Sequence, residues 1–274
     1  MRLNARKEIC VLGKEYRFYP LGDIHLGSAN CDVDLAKKTV AKIAADPQAR
    51  WIGMGDMAEC ITPNDKRWRE GGIDYNIIMP GEQDRIGDIY VDAVSELLLP
   101  IADKCWAYGD GNHEQTLNRQ CYTNLSIRIL EKIGRPDLYT QWAAITKITF
   151  EDNNNHRSAL RIFHSHGWQA GRYDGAKVNS LDYLMGYIDN CQIYLQGHSH
   201  SRLVKTKTKL DTNPSFQKLV QYNAYGAHTG SFLRTYQQDR VGYSECAGYP
   251  PTSLGMLRFN ITPTMDGVKV SATQ

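Results

Sequence analysis

Almost no net charge, no long apolar run and no paired-cysteine motif mark this chain, and each absence removes a class of function. Its 32 Lys and Arg stand against 30 Asp and Glu, leaving +2 over 274 residues. No global field therefore points to nucleic acid or to an anionic membrane, and a polyanion would have to be met by a local patch. No stretch approaches the ~18 consecutive apolar residues of a membrane-spanning helix. The opening MRLNARKEICVLG has no apolar segment of the kind a secretory signal needs. The seven cysteines (Cys10, Cys31, Cys60, Cys105, Cys121, Cys191, Cys246) are odd in number and contain no Cys-x-x-Cys pair. Free thiols in a reducing cytosol are the simplest expectation. There is no internal repeat and no low-complexity stretch. With 42% hydrophobic residues, a core can form without staples.

What is present reads as one domain over 1–274. Residues 8–20 suggest a strand pair turning at Gly13-Lys14, its second strand running from Tyr16 to Leu21. Val33, Ala36, Val40 and Ile43 fall at helical spacing behind a candidate N-cap, Asp32. A short apolar strand, Trp51 to Met54, follows, and residues 57–85, irregular and rich in Gly, Pro, Asp and Arg, read as a long loop or lid. A helix is expected over 86–101, a strand over Lys104 to Tyr108, and another helix over about 120–133. The second half is richer in strands, at 143–150, 158–163, 191–195, 202–209, 217–224, 255–262 and 267–272, with one helix at 176–188. This order implies an α/β (α+β) protein of two sheets packed face to face, with helices outside.

Five short motifs carry the chemistry: Asp23-Ile24-His25, Gly55-Asp56, Gly111-Asn112-His113-Glu114, His164-Ser165-His166 and Gly197-His198-Ser199-His200. Six of the eight histidines lie inside them; His156 and His228 do not and read as ordinary polar residues, with His228, in the Gly-rich YGAHTGS stretch, as an alternative lining of the crevice. Each motif sits where a strand should end, and the carboxyl ends of strands are where open α/β sheets bind ligands. Asp-x-His and His-x-His place two donors two residues apart, free to point the same way. Mixed His, Asp and Asn donors suit borderline divalent metals such as Mn²⁺, Fe²⁺ or Zn²⁺.

In these motifs and their order the chain resembles the calcineurin-like metallophosphoesterase superfamily. The resemblance spans roughly residues 17–201, and looks closer to bacterial and phage-type members, including relatives of DNA-repair exonucleases, than to other branches. Met57-Ala58-Glu59-Cys60 replaces the arginine-containing signature of protein Ser/Thr phosphatases, and Glu59 stands where purple acid phosphatases carry a tyrosine. The resemblance implies a four-layer αββα sandwich with two divalent ions, Mn²⁺ foremost and Fe²⁺, Zn²⁺, Ni²⁺ or Co²⁺ as alternatives. Asp23, His25 and His200 would hold the first ion, Asp56 would bridge, and Asn112, His198 and one histidine of the fourth motif would hold the second. His164, directly after Leu160–Phe163, is preferred for that place, with His166 as the alternative. His113 would serve the leaving-group oxygen rather than a metal, and Glu114 would orient it.

The reaction implied is hydrolysis of a phosphate ester by a metal-bridging hydroxide. Two basic segments favour a phosphodiester, and a nucleic acid or nucleotide as partner. One holds Arg67 and Arg69 around Trp68; the other holds Lys205, Lys207 and Lys209 on one strand face. Arg172 is a further candidate contact. A phosphomonoesterase or small-nucleotide hydrolase is the competing enzyme reading, and a non-catalytic metal-binding scaffold the competing class. No reading of the 226–252 segment, with its Gly and Tyr, follows from the sequence.

Overall fold

The computed structural model describes residues 1–274 except 66, 70, 169–170, 172, 214–215, 239–242, 274 and the side chains at 83 and 243. The first half runs β1 (Arg2–Ile9), β2 (Tyr16–Leu21), α1 (Val33–Ala45), β3 (Ala49–Gly53), α2 (Ile86–Leu98), β4 (Cys105–Gly109), α3 (Asn112–Cys121) and α4 (Leu125–Lys132). The second half runs β5 (Tyr139–Gln141), β6 (Ala143–Glu151), β7 (Arg157–Ser165), α5 (Asp174–Tyr187), β8 (Ile193–Gln196), β9 (Arg202–Thr212) and β10 (Leu219–Ser231). A short helix α6 (Tyr243–Cys246) and strands β11 (Gly255–Met256), β12 (Arg258–Thr264) and β13 (Gly267–Thr273) end the chain.

The strands form two mixed sheets. One has the order β1-β6-β7-β8-β10-β11 with β9 also on β10; the other has β13-β12-β2-β3-β4-β5. Between them lies a core of Phe18, Ile52, Trp106, Phe150, Leu160, Ile162, Ile193 and Phe259. Neighbouring residues on the same strands serve a second core: Tyr19, Leu21, Trp51 and Tyr108 face α1, α2 and α4. On the other sheet, Phe163 and Tyr194 pack against Leu181, Leu184 and Met185 of α5. Strands covered on both faces need apolar residues at both parities, which is why β2, β3 and β4 read as continuous apolar runs rather than alternating ones. Helices thus cover the outer faces of both sheets.

Several sequence expectations are corrected. β1 and β2 are not a hairpin: β1 pairs in parallel with β6, and β2 with β3, in different sheets. The helix expected over about 120–133 is present as the shorter α4, and a helix not expected, α3, precedes it and begins inside the third motif, at Asn112. Among its described residues the 57–85 segment has no strand or α-helix, yet Met57–Thr62, Ile73 and Ile78 are buried, so much of it is packed wall. β7 runs to Ser165, two residues beyond the expected strand end.

Parallel neighbours β2, β3 and β4 release Asp23, Asp56 and Asn112 just past their carboxyl ends. In the other sheet β7 and β8, also parallel, release His166 and the Gly197–His200 turn. All five motifs therefore meet at one edge of the sandwich, where the two sheets' strand ends face each other.

Candidate metal centre

Strained turns present the side chains. Asp23, His25, Asp56, His198 and His200 all take positive φ (47°, 54°, 49°, 65° and 54°), a region that costs a non-glycine residue energy and persists only where its surroundings impose it. Part of the imposition is steric. A Cβ on Gly55 (φ +86°) would lie 2.4 Å from the Gly111 nitrogen, and one on Gly111 would lie 2.0 Å from Asp56 Oδ1. The second and third motifs are packed back to back, and only glycine fits at either contact.

Hydrogen bonds complete it. The buried carboxylate of Glu114 accepts the N–H groups of Asp56 (2.9 Å), Met57 (2.7 Å), Ala58 (3.3 Å) and Gly111 (2.9 Å). Glu114 thus clamps the Asp56 loop onto the start of α3; none of these bonds goes to His113, so the expectation that it orients that ring gives way to an anchoring one. The Gly197–His200 turn is tied in turn to Asp23, whose carboxylate accepts the His198 N–H at 3.0 and 3.1 Å.

Three donor groups result among the described residues, Asp23–His25–His200, Asp56–His166–His198 and His25–Glu59–His113, each with its donor atoms within 4.8 Å of one another; in the third, the Nδ1 atoms of both rings are already hydrogen-bonded to Glu59. In the first, His25 Nε2 lies 3.1 Å from His200 Nε2 and His200 Nε2 lies 3.5 Å from Asp23 Oδ1. In the second, His166 Nε2 lies 3.1 Å from Asp56 Oδ2 and 2.9 Å from Asn112 Oδ1. Asp56 Oδ2 is also 3.8 Å from His25 Nε2, so this one oxygen faces the first two groups.

The fourth motif is decided against the preferred residue. His166, not His164, joins the cluster. Because β7 extends through Ser165, His164 is still inside the sheet, where its Nε2 pairs with the Thr146 hydroxyl at 2.9 Å. Burial alone drives its pKa down to about 4, a neutral core histidine.

Second partners orient the rings. His166 Nδ1–H donates to the Met54 carbonyl at 2.9 Å, and His25 Nδ1–H donates to Glu59 Oε2 at 2.9 Å. Each bond commits Nδ1 to a second partner and turns Nε2 inwards, the orientation found behind metal-bound imidazoles. Glu59 escaped the sequence reading; its spacing from Asp56 was visible, but nothing local showed that its carboxylate would reach back to His25. The charges agree with the geometry. Burial opposes a proton on His25 and His166, yet Glu59, Asp56 and Asp23 raise the former to about 9, and Asp56 and Asp23 raise the latter to about 10. Burial and then the neighbouring His166 charge push His198 down to about 4. Carboxylates and imidazoles so concentrated favour positive charge at their centre, and these buried clusters could hold metal ions.

His113 stands beside the cluster. Its Nδ1–H donates to the Glu59 carbonyl, and its Nε2 accepts from Arg67 Nη1 at 2.9 Å. Asp65 grips Arg67 at both Nε (3.0 Å) and Nη2 (2.7 Å). His113 and Arg67 lie on a cavity of about 550 Å³ that also takes in His25, Asp56, Asn112 and His198. Arg69 lines it too, but its guanidinium is turned to the Trp68 carbonyl. The lysine row does not line it: Lys205 and Lys207 reach Asp182 at 3.5 and 3.2 Å, and Lys209 reaches Asp189 at 3.9 Å, all on or beside α5. The substrate contact expected of Lys205 is thus replaced by an ion pair across β9 and α5. Arg172 lies outside the described residues. Asp110, near the third motif, accepts from the Tyr139 hydroxyl at 2.6 Å, a turn-holding role. His156 pairs with Asp152 at 3.0 Å in an exposed turn. Ser244, Tyr249 and Thr252, from the tail segment whose role the sequence left open and just beyond it, form another wall of the cavity.

No family model matches the chain, and no curated protein matches it.

Proposed function

We propose that this protein is a metal-dependent phosphoric ester hydrolase of the calcineurin-like metallophosphoesterase type, holding two divalent ions and cleaving a phosphodiester. The observation that carries this reading is the pair of donor groups faced by Asp56 Oδ2, each with one imidazole, His25 or His166, whose Nδ1 is committed to a second partner. Asp23, His25 and His200 would hold one ion, Asn112, His166 and His198 the other, with Asp56 common to both. Mn²⁺ fits this borderline donor set, as do Fe²⁺ and Zn²⁺.

The ions, when bound, would lower the pKa of water and offset charge on the phosphoryl oxygens. The remaining work falls to the chain's own side chains. Arg67, fixed by Asp65, presents a cation to a phosphate in the cavity, where a planar guanidinium matches phosphate geometry. His113 Nε2 is the atom that faces the leaving oxygen once Arg67 Nη1 has turned from it to the substrate; burial keeps the ring neutral, so Nε2 would first take a proton from solvent water and then pass it to that oxygen. Glu59 holds the His113 ring through its carbonyl and the His25 ring through its carboxylate, coupling the proton carrier to the first donor group.

Small diesters suit the site better than long nucleic acid. The cavity is walled by the 57–85 segment and by Tyr249 and Thr252, and the lysine row that might have tracked a backbone is paired with α5. Hydrolysis of bis-p-nitrophenyl phosphate against p-nitrophenyl phosphate, with Mn²⁺ returned to chelator-stripped protein, tests the proposal. Mn²⁺-dependent turnover of the diester, abolished in Asp56→Ala, is expected. Preference for the monoester would point to a phosphatase, and no turnover by protein that binds two ions would leave a scaffold.

A further inference from the structure

We propose that the cavity takes a small phosphate ester bearing a second anionic group, and that Lys177 is the residue that reads it. This rests on the phosphoester reading above and narrows it to a substrate class.

Lys177 lies in the first turns of α5, lines the cavity and is only 6% exposed. Its Nζ has one ion pair among the described residues, with Asp174 Oδ1 at 3.2 Å, and that carboxylate side chain is 80% exposed. A pair with a solvated partner contributes little, whereas removing an ammonium from water costs much more. A lysine kept there for packing alone would be a poor choice: Leu181 and Leu184, further along the same helix, fill their places with apolar groups. The surroundings add positive potential. α5 begins at Asp174 behind Tyr173, which gives no side-chain cap, so the first N–H groups of this 14-residue helix add their dipole to the lysine charge.

The position is linked to the metal-binding turn. His228 Nε2–H donates to the Lys177 carbonyl at 3.1 Å, and His228 Nδ1 accepts from the Ser199 hydroxyl at 2.9 Å. Ser199 separates His198 and His200 and itself lines the cavity. One cavity thus carries cations on two walls: Arg67 and Arg69 on the His113 side, with Arg69 turned to the Trp68 carbonyl, and Lys177 behind the His198–His200 turn. Arg67 suffices for the phosphate that reacts. Lys177 is left for another anion, a second phosphate or a carboxylate, on a ligand small enough for about 550 Å³. A nucleoside bisphosphate is of that class.

Calorimetric binding of adenosine 3′,5′-bisphosphate and adenosine 5′-monophosphate to the full chain in chelator tests this without turnover. The bisphosphate should bind about tenfold more tightly, as one charged contact provides. Lys177→Met should erase that difference while leaving the monophosphate Kd unchanged, and Lys177→Arg should preserve it. Equal affinities in the wild-type protein would overturn the proposal, whether or not the Met variant folds. Equal weakening of both ligands in Lys177→Met would overturn it too, by assigning the lysine a structural role. Failure of the phosphoester reading shows separately, as absent Mn²⁺-dependent diester turnover by wild-type protein.

Discussion

Glu114→Gln is the substitution that most sharply separates anchoring from catalysis at this centre. The change preserves shape and removes one acceptor oxygen. The carboxylate now receives four main-chain N–H groups, two on each oxygen. An amide can face only one pair with its oxygen; its NH₂ would face the other pair, donor against donor. Two buried N–H groups are then unsatisfied, at ~1–3 kcal/mol each, so the loss should be about 2–6 kcal/mol. Burial and the charges of Asp56 and Asp110 push the Glu114 pKa up to about 7, against the opposing pull of hydrogen bonding to the carboxylate. Because three of the donors belong to the Asp56 loop, metal affinity should fall together with stability. Urea unfolding with and without Mn²⁺, alongside metal content after dialysis, measures both. A variant within about 0.5 kcal/mol of wild type, with full metal content and only slowed turnover, would refute the reasoning and restore Glu114 to the orientation of His113.

Other expectations follow from the same contacts. His113→Ala should keep its metal, since the ring's partners are Glu59 and Arg67, and should lose about 10²–10⁴-fold in diester turnover; metal loss measured by atomic absorption would make His113 a ligand. Burial drives His228 down to about 4, below its unfolded value of ~6.5. The unfolded chain therefore takes up more protons between those values, and stability is lost as pH falls through that window, by at most ~1.4 kcal/mol per pH unit from this residue. Denaturant titrations in chelator should show a shallower decline for His228→Gln than for wild type; identical slopes would contradict this.

The sequence was most legible where chemistry is local. Asp-x-His, Gly-Asp, Gly-Asn-His-Glu and Gly-His-x-His each keep their donors within a few residues, so Asp23, His25, Asp56, Asn112, His198 and His200 were readable and the structure brings all of them together. His164 and His166 could not be separated that way, because the choice depends on how far β7 pairs with β6 and β8, a property of three strands. Glu59 and Lys177 were hidden for a related reason. Their meaning lies in His25 and in the cavity wall, and neither partner is a neighbour in sequence. The supposed hairpin of β1 and β2 failed because turn residues at Gly13 show where a chain bends but not which strand it meets next. The lysine row looked like a polyanion track because alternation places charges on one face without saying that Asp182 and Asp189 of the opposing helix region await them.

Mn²⁺ titration of chelator-stripped protein, followed by calorimetry and by the spin-coupled signal of paired ions, tests the central claim most directly. The account predicts two ions per chain, magnetically coupled, with neither retained at normal affinity by Asp56→Ala. A single uncoupled ion, or two ions held equally well without Asp56, would contradict it.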